Sequence, residues 1–171
     1  MYLILPPVFA ILIATSSMPE LVHPNSPALW YAARTLVREY AASLNVNLAF
    51  QNFDEELLHF ETEYAPPTGT FLLARNETAF LACGALRRFS ATDCEMKRLY
   101  VRPFGRNLGL GRQIAVTLIT EAKSLGYTRM LLDTLPTMQS AQSLYKSLGF
   151  EPTQPYRFNP IQGTSFLKLD V

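Results

Sequence analysis

The segment Arg106-Asn107-Leu108-Gly109-Leu110-Gly111-Arg112 sets two arginines, an asparagine and two glycines between a strand-like run, Met96 to Val101, and a long helical pattern. A glycine-permissive turn feeding a helix start leaves backbone N–H groups without intrahelical acceptors. Together with the helix dipole, these groups form an anion site. Two better-known phosphate loops do not fit. A three-glycine dinucleotide turn would need glycine where Ile114 stands, and a nucleoside-triphosphate loop would need lysine where Arg112 stands. The remaining chemistry is a pyrophosphate held by backbone amides.

The elements that must position this loop follow from periodicity. A short strand over 20–24 precedes Ser26-Pro27, an N-cap followed by proline at the first helical position. Leu29, Ala32, Ala33, Leu36, Val37 and Tyr40 then lie on one helical face. A second helix is expected over 54–64, ended by Pro66-Pro67. Residues 70–75, 79–89 and 93–101 read as an antiparallel meander. After the glycine loop, Leu110, Ile114, Leu118 and Ala122 mark a helix closed at Gly126, and 129–134 a buried strand. Ala141, Leu144, Tyr145 and Leu148 mark a last helix ending at Gly149, and 165–171 alternates like a closing strand. This order predicts an α/β domain, a mixed sheet covered on both faces by helices, with the helix after the loop crossing to a parallel strand.

At 171 residues, 49% hydrophobic and 17% charged, the chain is expected to form a single globular domain over 18–171. A net charge of +1 without a basic run speaks against nucleic acid. Cys83 and Cys94 would not face each other in a hairpin turning near Ser90, and His23 and His59 stand isolated. Neither a disulfide nor a metal is expected, and a reducing, cytoplasmic setting is. The apolar stretch 1–17 is too short for a spanning helix and is broken by Pro6-Pro7. It reads as an extension ahead of a natural start at Met18, with an export or membrane signal as the alternative.

Arg106-x-x-Gly109-x-Gly111 and Ala141-x-x-Leu144-Tyr145-x-x-x-Gly149-Phe150 occur in order, with a helix and a strand between them. They resemble the two signatures of the GNAT superfamily, the acetyl-CoA-dependent N-acetyltransferases. The likeness spans the chain from about Glu20 onward and is most specific between Glu95 and Phe150. It implies a mostly antiparallel sheet with one splayed parallel pair, and acetyl-CoA as co-substrate without a metal. The cofactor's pyrophosphate would meet the amides of Arg106, Asn107, Leu108, Gly109, Leu110, Gly111 and Arg112. Its pantetheine arm would run beside Leu99, Tyr100 and Val101 as an added strand does, with a backbone N–H of that strand stabilising the oxyanion. Where the family often carries asparagine, this chain has Met138, so Thr137, Gln139 or Ser140 would supply that polar contact.

The resemblance further implies direct transfer to an amine of a small molecule or protein, in a ternary complex. Such an amine has a pKa of about 10.4, so a base is required. Glu95 occupies the family's position for that base, with a strand carboxylate paired to Lys97 or Arg98 as the plain structural reading. Asp133 or water is the alternative base, and Asp133 could equally cap the turn before Leu135-Pro136. Tyr145 matches the family's general-acid tyrosine, while also filling a core position on its helix. Acceptor walls are sought in 50–53, 64–67 and 156–160, where aromatics stand beside polar groups. An acyl-CoA-binding module without turnover, or transfer of another short acyl group, is the rival reading. The sequence leaves monomer and homodimer open.

Overall fold

In the computed structural model, which describes residues 18–44, 46 and 52–171, Ser26 caps the first helix, its Oγ accepting from the Leu29 amide at 3.4 Å. Strand β1 (Glu20–Val22) precedes this helix, α1 (Pro27–Ser43), and the acidic segment follows as α2 (Phe53–Leu58) and α3 (Phe60–Tyr64). The single helix expected over 54–64 is therefore two. The chain breaks at His59, whose φ of −102° and ψ of 20° leave the helical region. The meander forms β2 (Thr70–Arg75), β3 (Phe80–Arg88) and β4 (Asp93–Val101). A short 3-10 turn, Pro103–Gly105, leads to α4 (Leu110–Ser124), then β5 (Arg129–Thr134) and α5 (Gln139–Ser147). A two-residue strand β6 (Glu151–Pro152), too short to leave a sequence pattern, pairs with β7 (Ser165–Asp170). Residues 1–17 and 50–51 of the sequence reading lie outside the described residues.

The seven strands form one sheet in the order β1-β2-β3-β4-β5-β7-β6. All pairs are antiparallel except β4 with β5. On one face α4 buries Leu110, Ile114, Ala115, Leu118 and Ala122 against Leu72, Leu86 and Met96, with Tyr145 and Phe150 beyond. On the other, α1, α2 and α3 pack Leu36, Val37, Phe60 and Tyr64 over Phe71, Leu73 and Ala85. Cys83 lies opposite Tyr100, as the hairpin spacing suggested, and both thiols are buried and free.

Two features of β4 position everything that follows. First, its pairing with β5 runs only through Asp93↔Arg129, Cys94↔Met130 and Glu95↔Leu131. Beyond Glu95 the parallel strands part, which is the expected splay. Second, β4 carries a bulge: Cys83 pairs with Tyr100 and Ala85 with Lys97, so Gly84 alone faces both Arg98 and Leu99. Arg98 sits at φ 57°, a conformation costly for a residue with a side chain. A Cβ at Gly84 would lie 2.5 Å from Ile114 Cγ2 and 3.3 Å from Leu99 Cδ1. Gly84→Ala is therefore expected to lower stability by about 1–3 kcal/mol through overpacking between β3 and α4, read as a lower urea midpoint at unchanged m-value.

Candidate active site

The parted strands open a cleft of about 680 Å³. Its walls include Leu99, Tyr100 and Val101 of β4, Arg106 and Asn107 of the loop, and Gly109, Leu110, Gly111 and Arg112 at the start of α4. Thr137, Met138, Gln139 and Ser140 close it from the α5 side. Of the residues expected to hold the cofactor, Leu108 and Tyr145 are not part of these walls: Leu108 is mostly exposed, and Tyr145, expected both to touch the cofactor and to act as general acid, lies deeper. Asn107 (φ 64°) and Gly109 (φ 74°) both adopt the left-handed conformation, turning the chain into α4. The first-turn amides of α4 thus border the cleft without intrahelical acceptors. A Cβ on Gly109 would meet nothing within 4 Å, so glycine serves the turn here and not close packing. Arg106 is exposed at the cleft, whereas Arg112 donates to Ser147 Oγ at 2.5 Å and ties α4 to α5. Met138, standing where an asparagine was expected, receives a contact from Thr134 Oγ1 to Sδ at 3.6 Å. These walls, a backbone-lined anion end and a longer apolar arm, fit a pyrophosphate joined to a pantetheine chain.

At its inner end the cleft meets a cavity of about 50 Å³ in the wedge between β4 and β5. Tyr40, Leu99, Met138 and Ala141 line both spaces. The cavity's remaining polar walls are Lys97, Arg98, Asp133, Thr134 and Tyr145. Tyr145 keeps its packing role, its ring meeting Phe150 edge-on at 5.6 Å, while it also lines this cavity. Burial pushes the Tyr145 phenol well above its ordinary value, with Tyr40 and Asp133 adding to the shift. Burial likewise pushes the Tyr40 phenol up to about 12.

Glu95 is 1% exposed rather than a surface carboxylate. Arg87 Nε donates to Glu95 Oε2 at 3.2 Å, and the Tyr156 hydroxyl donates to Oε1 at 3.0 Å. The Arg157 guanidinium lies 3.2 Å from Oε1 and Lys97 Nζ 4.0 Å. Glu95 borders neither the cleft nor the inner cavity; it lines a recess of about 320 Å³ with Glu63, Arg87 and Arg157. Asp133 accepts from Arg157 and, at 2.9 Å, from Asn159 Nδ2. Burial works to raise the Asp133 carboxyl, but the charges of Arg157 and Lys97 outweigh it and hold the group below the carboxylate range.

A second ion pair anchors the bulge. Arg98 donates to Glu56 of α2 through Nε at 2.7 Å and Nη2 at 2.5 Å, and the Tyr64 hydroxyl donates to the same carboxylate at 2.8 Å. The Arg98 guanidinium also lies 5.0 Å from the Phe53 ring centroid. Burial would raise the Glu56 carboxyl; the Arg98 hydrogen bonds and charge reverse this and hold it low.

Three of these contributors were not singled out from sequence. Lys97 was noted only as a partner for Glu95, although Glu95 and Lys97 share one strand face two residues apart. Arg157 was read as one residue of an aromatic wall, and Glu56 as part of a solvated acidic face. Among the described residues, no group of three or more His, Cys, Asp or Glu could hold a metal ion, and no helix is long and apolar enough to cross a membrane.

A cleft with a backbone anion end at a helix start, let into a splayed parallel pair of a mixed sheet, is the arrangement that the resemblance to acetyl-CoA-dependent transferases implied. Residues 32–150 match the acetyltransferase (GNAT) family. An uncharacterized N-acetyltransferase of Schizosaccharomyces pombe is 45% identical over 141 residues, covering 81% of this chain and 86% of the relative. The crystal structure of an acetyltransferase from Streptococcus agalactiae superposes with a TM-score of 0.74 at 20% identity, over 91% of this chain and 99% of that one. A GNAT acetyltransferase from Elizabethkingia anophelis with acetyl-CoA bound shares the fold at a TM-score of 0.62 and 18% identity, over 91% and 99%. The chain belongs to the GNAT acetyltransferase family, whose members use acetyl-CoA as acyl donor.

Proposed function

We propose that the protein transfers the acetyl group of acetyl-CoA to a primary amine by direct attack in a ternary complex, in the cytoplasm. The observation that carries this reading is the small polar cavity continuous with the cleft, where Lys97, Asp133 and Tyr145 converge between the parted strands. The amides from Arg106 to Arg112 would hold the pyrophosphate, Leu99 to Val101 would pair with the pantetheine arm, and Ser140 would contact it from α5. The bound cofactor supplies an activated acetyl thioester. Tyr145, whose burial keeps it protonated, donates its proton to the leaving sulfur. Lys97 stands at the proton-accepting end of the site, and Glu95, outside the cavity, backs it at 4.0 Å. A covalent enzyme intermediate has little support, because both cysteines are fully buried and burial raises the thiols, that of Cys94 to about 12.

Thiol release on incubation with acetyl-CoA and a panel of amines, from small metabolites to peptide N-termini and lysines, tests the reading. Mass spectrometry of the acetylated product identifies the acceptor. Turnover on an amine is the expected result. Tight acetyl-CoA binding without turnover across the panel would favour a sensor module instead.

A further inference from the structure

We infer that Lys97 is the catalytic base that takes the proton from the incoming ammonium acceptor, with Glu95 as its positioning partner. The inference rests on the acetyl-transfer reading above and names the proton acceptor within that site. Its first support is placement. Lys97 is 5% exposed and lies just past the last β4–β5 pair, on the wall of the cavity that Tyr145 and Asp133 also line. Its second support is elimination among the neighbouring groups. Glu95 lines a separate recess and not the cavity, and Arg87, Arg157, Lys97 and the Tyr156 hydroxyl surround its carboxylate. Asp133 is committed to Arg157 and Asn159 and is held in its ionised form. Tyr40 and Tyr145 are phenols that burial keeps protonated.

The electrostatics of the cavity agree with the geometry. Burial pushes the Lys97 ammonium down to about 7; Glu95 opposes the shift, Arg98 and Arg157 add to it, and Glu56 opposes it from α2. The charges of Arg157 and, when protonated, Lys97 hold the Asp133 carboxyl of β5 low, and Tyr40 of α1 and Tyr145 of α5 complete the groups facing the cavity. At neutral pH a substantial share of Lys97 is then a neutral amine, matched to general-base work.

The proton balance closes without a further reactant. Lys97 Nζ accepts one proton from the acceptor's ammonium, freeing its lone pair. As the N–C bond forms and the C–S bond breaks, Tyr145 protonates the departing sulfur. Tyr145 then recovers the proton that the nitrogen sheds in becoming an amide, and Lys97 returns its own proton to solvent.

The test pairs kinetics with a titration of the protein alone. In protein carrying ¹³C-labelled lysine, one side-chain resonance is expected to titrate near pH 7 without cofactor and to be missing from Lys97→Met. The kcat/KM profile of the parent should show an acidic limb at the same pH. Lys97→Met and Lys97→Arg should lower kcat by ~10²–10⁴-fold while acetyl-CoA affinity stays within a few-fold. Glu95→Gln should move the acidic limb to lower pH, since Glu95 raises the Lys97 value, and lower the plateau less than Lys97→Met does. Retained turnover in both folded Lys97 variants would overturn the assignment and leave the acetyltransferase reading intact. So would acetylation of Lys97 itself on incubation with acetyl-CoA alone, or loss of turnover at every pH in Glu95→Gln with activity retained in Lys97→Met. A parent inactive on every amine would overturn both readings.

Discussion

Glu56→Ala is expected to destabilise the protein by about 3–5 kcal/mol, the usual result of removing one member of a buried ion pair. Arg98 and Glu56 have side chains only 2% and 1% exposed, and they meet through two parallel donor contacts. Removing the carboxylate leaves the guanidinium buried without its counter-charge, and it also takes the acceptor from the Tyr64 hydroxyl. Much of that loss belongs to the stranded charge and not to net attraction in the pair. Hence Glu56→Leu combined with Arg98→Met should recover most of the stability. Urea denaturation of the two single variants and the double variant gives the coupling directly. A single-variant loss below about 1 kcal/mol would defeat the argument.

The same pair has a pH signature. The folded carboxyl of Glu56 is lowered by Arg98 despite burial, so the folded state binds its proton less readily than the unfolded chain does. Its contribution is full above the unfolded value of about 4.3 and disappears as pH falls through the folded value. Glu56→Ala should therefore flatten part of the acid-side decline in stability. Because Arg98 is the left-handed residue of the β4 bulge, the pair also joins α2 to the point where the cleft opens. The double variant is accordingly expected to fold stably yet turn over more slowly than the parent, since the charged tie between the bulge and α2 is then gone.

What the sequence disclosed and what it withheld follow from the range over which each signal acts. Strand β4 at 93–101, strand β5 at 129–134 and the glycine turn into α4 carry local signals: alternation, a buried run, glycine at positive φ. Each was legible because the residues that specify it are neighbours in sequence. The cleft walls followed, since they are the ends of those same elements. The charge network did not follow, for its partners are remote: Arg98 with Glu56 at 42 residues, Tyr156 with Glu95 at 61, and Asn159 with Asp133 at 26. An acidic helix looks the same in sequence whether its carboxylates face water or a buried arginine. In α2 and α3 both occur: Glu56 and Glu63 turn inward to Arg98 and Arg87, while Glu55 and Glu61 remain largely exposed. The stretch 156–160 drew notice for its aromatics beside polar groups, but its hydrogen bonds to Glu95 and Asp133 depend on how β7 returns the chain beside β5.

Tyr145→Phe is expected to lower kcat by ~10²–10⁴-fold, the range of a lost general acid. The aromatic ring itself is retained, so the edge contact with Phe150 at 5.6 Å and the packing of α5 should survive, and the melting temperature should change little. Affinity for acetyl-CoA should also hold, because the backbone amides at the start of α4, which would take the pyrophosphate, belong to the cleft and not to the cavity that this hydroxyl lines. The pH dependence has a definite sign. A general acid must be protonated, and burial raises the Tyr145 phenol above its ordinary value of about 10. Its protonation therefore sets no alkaline limb through pH 9 in the parent. The sharpest check varies the leaving group. An acetyl thioester whose thiol is more acidic departs as a stable thiolate and gains less from a proton donor, so the penalty of Tyr145→Phe should shrink with such a donor. An equal loss for both donors would mean that the hydroxyl positions the substrate and does not protonate sulfur, and the acid assignment would then have to be withdrawn.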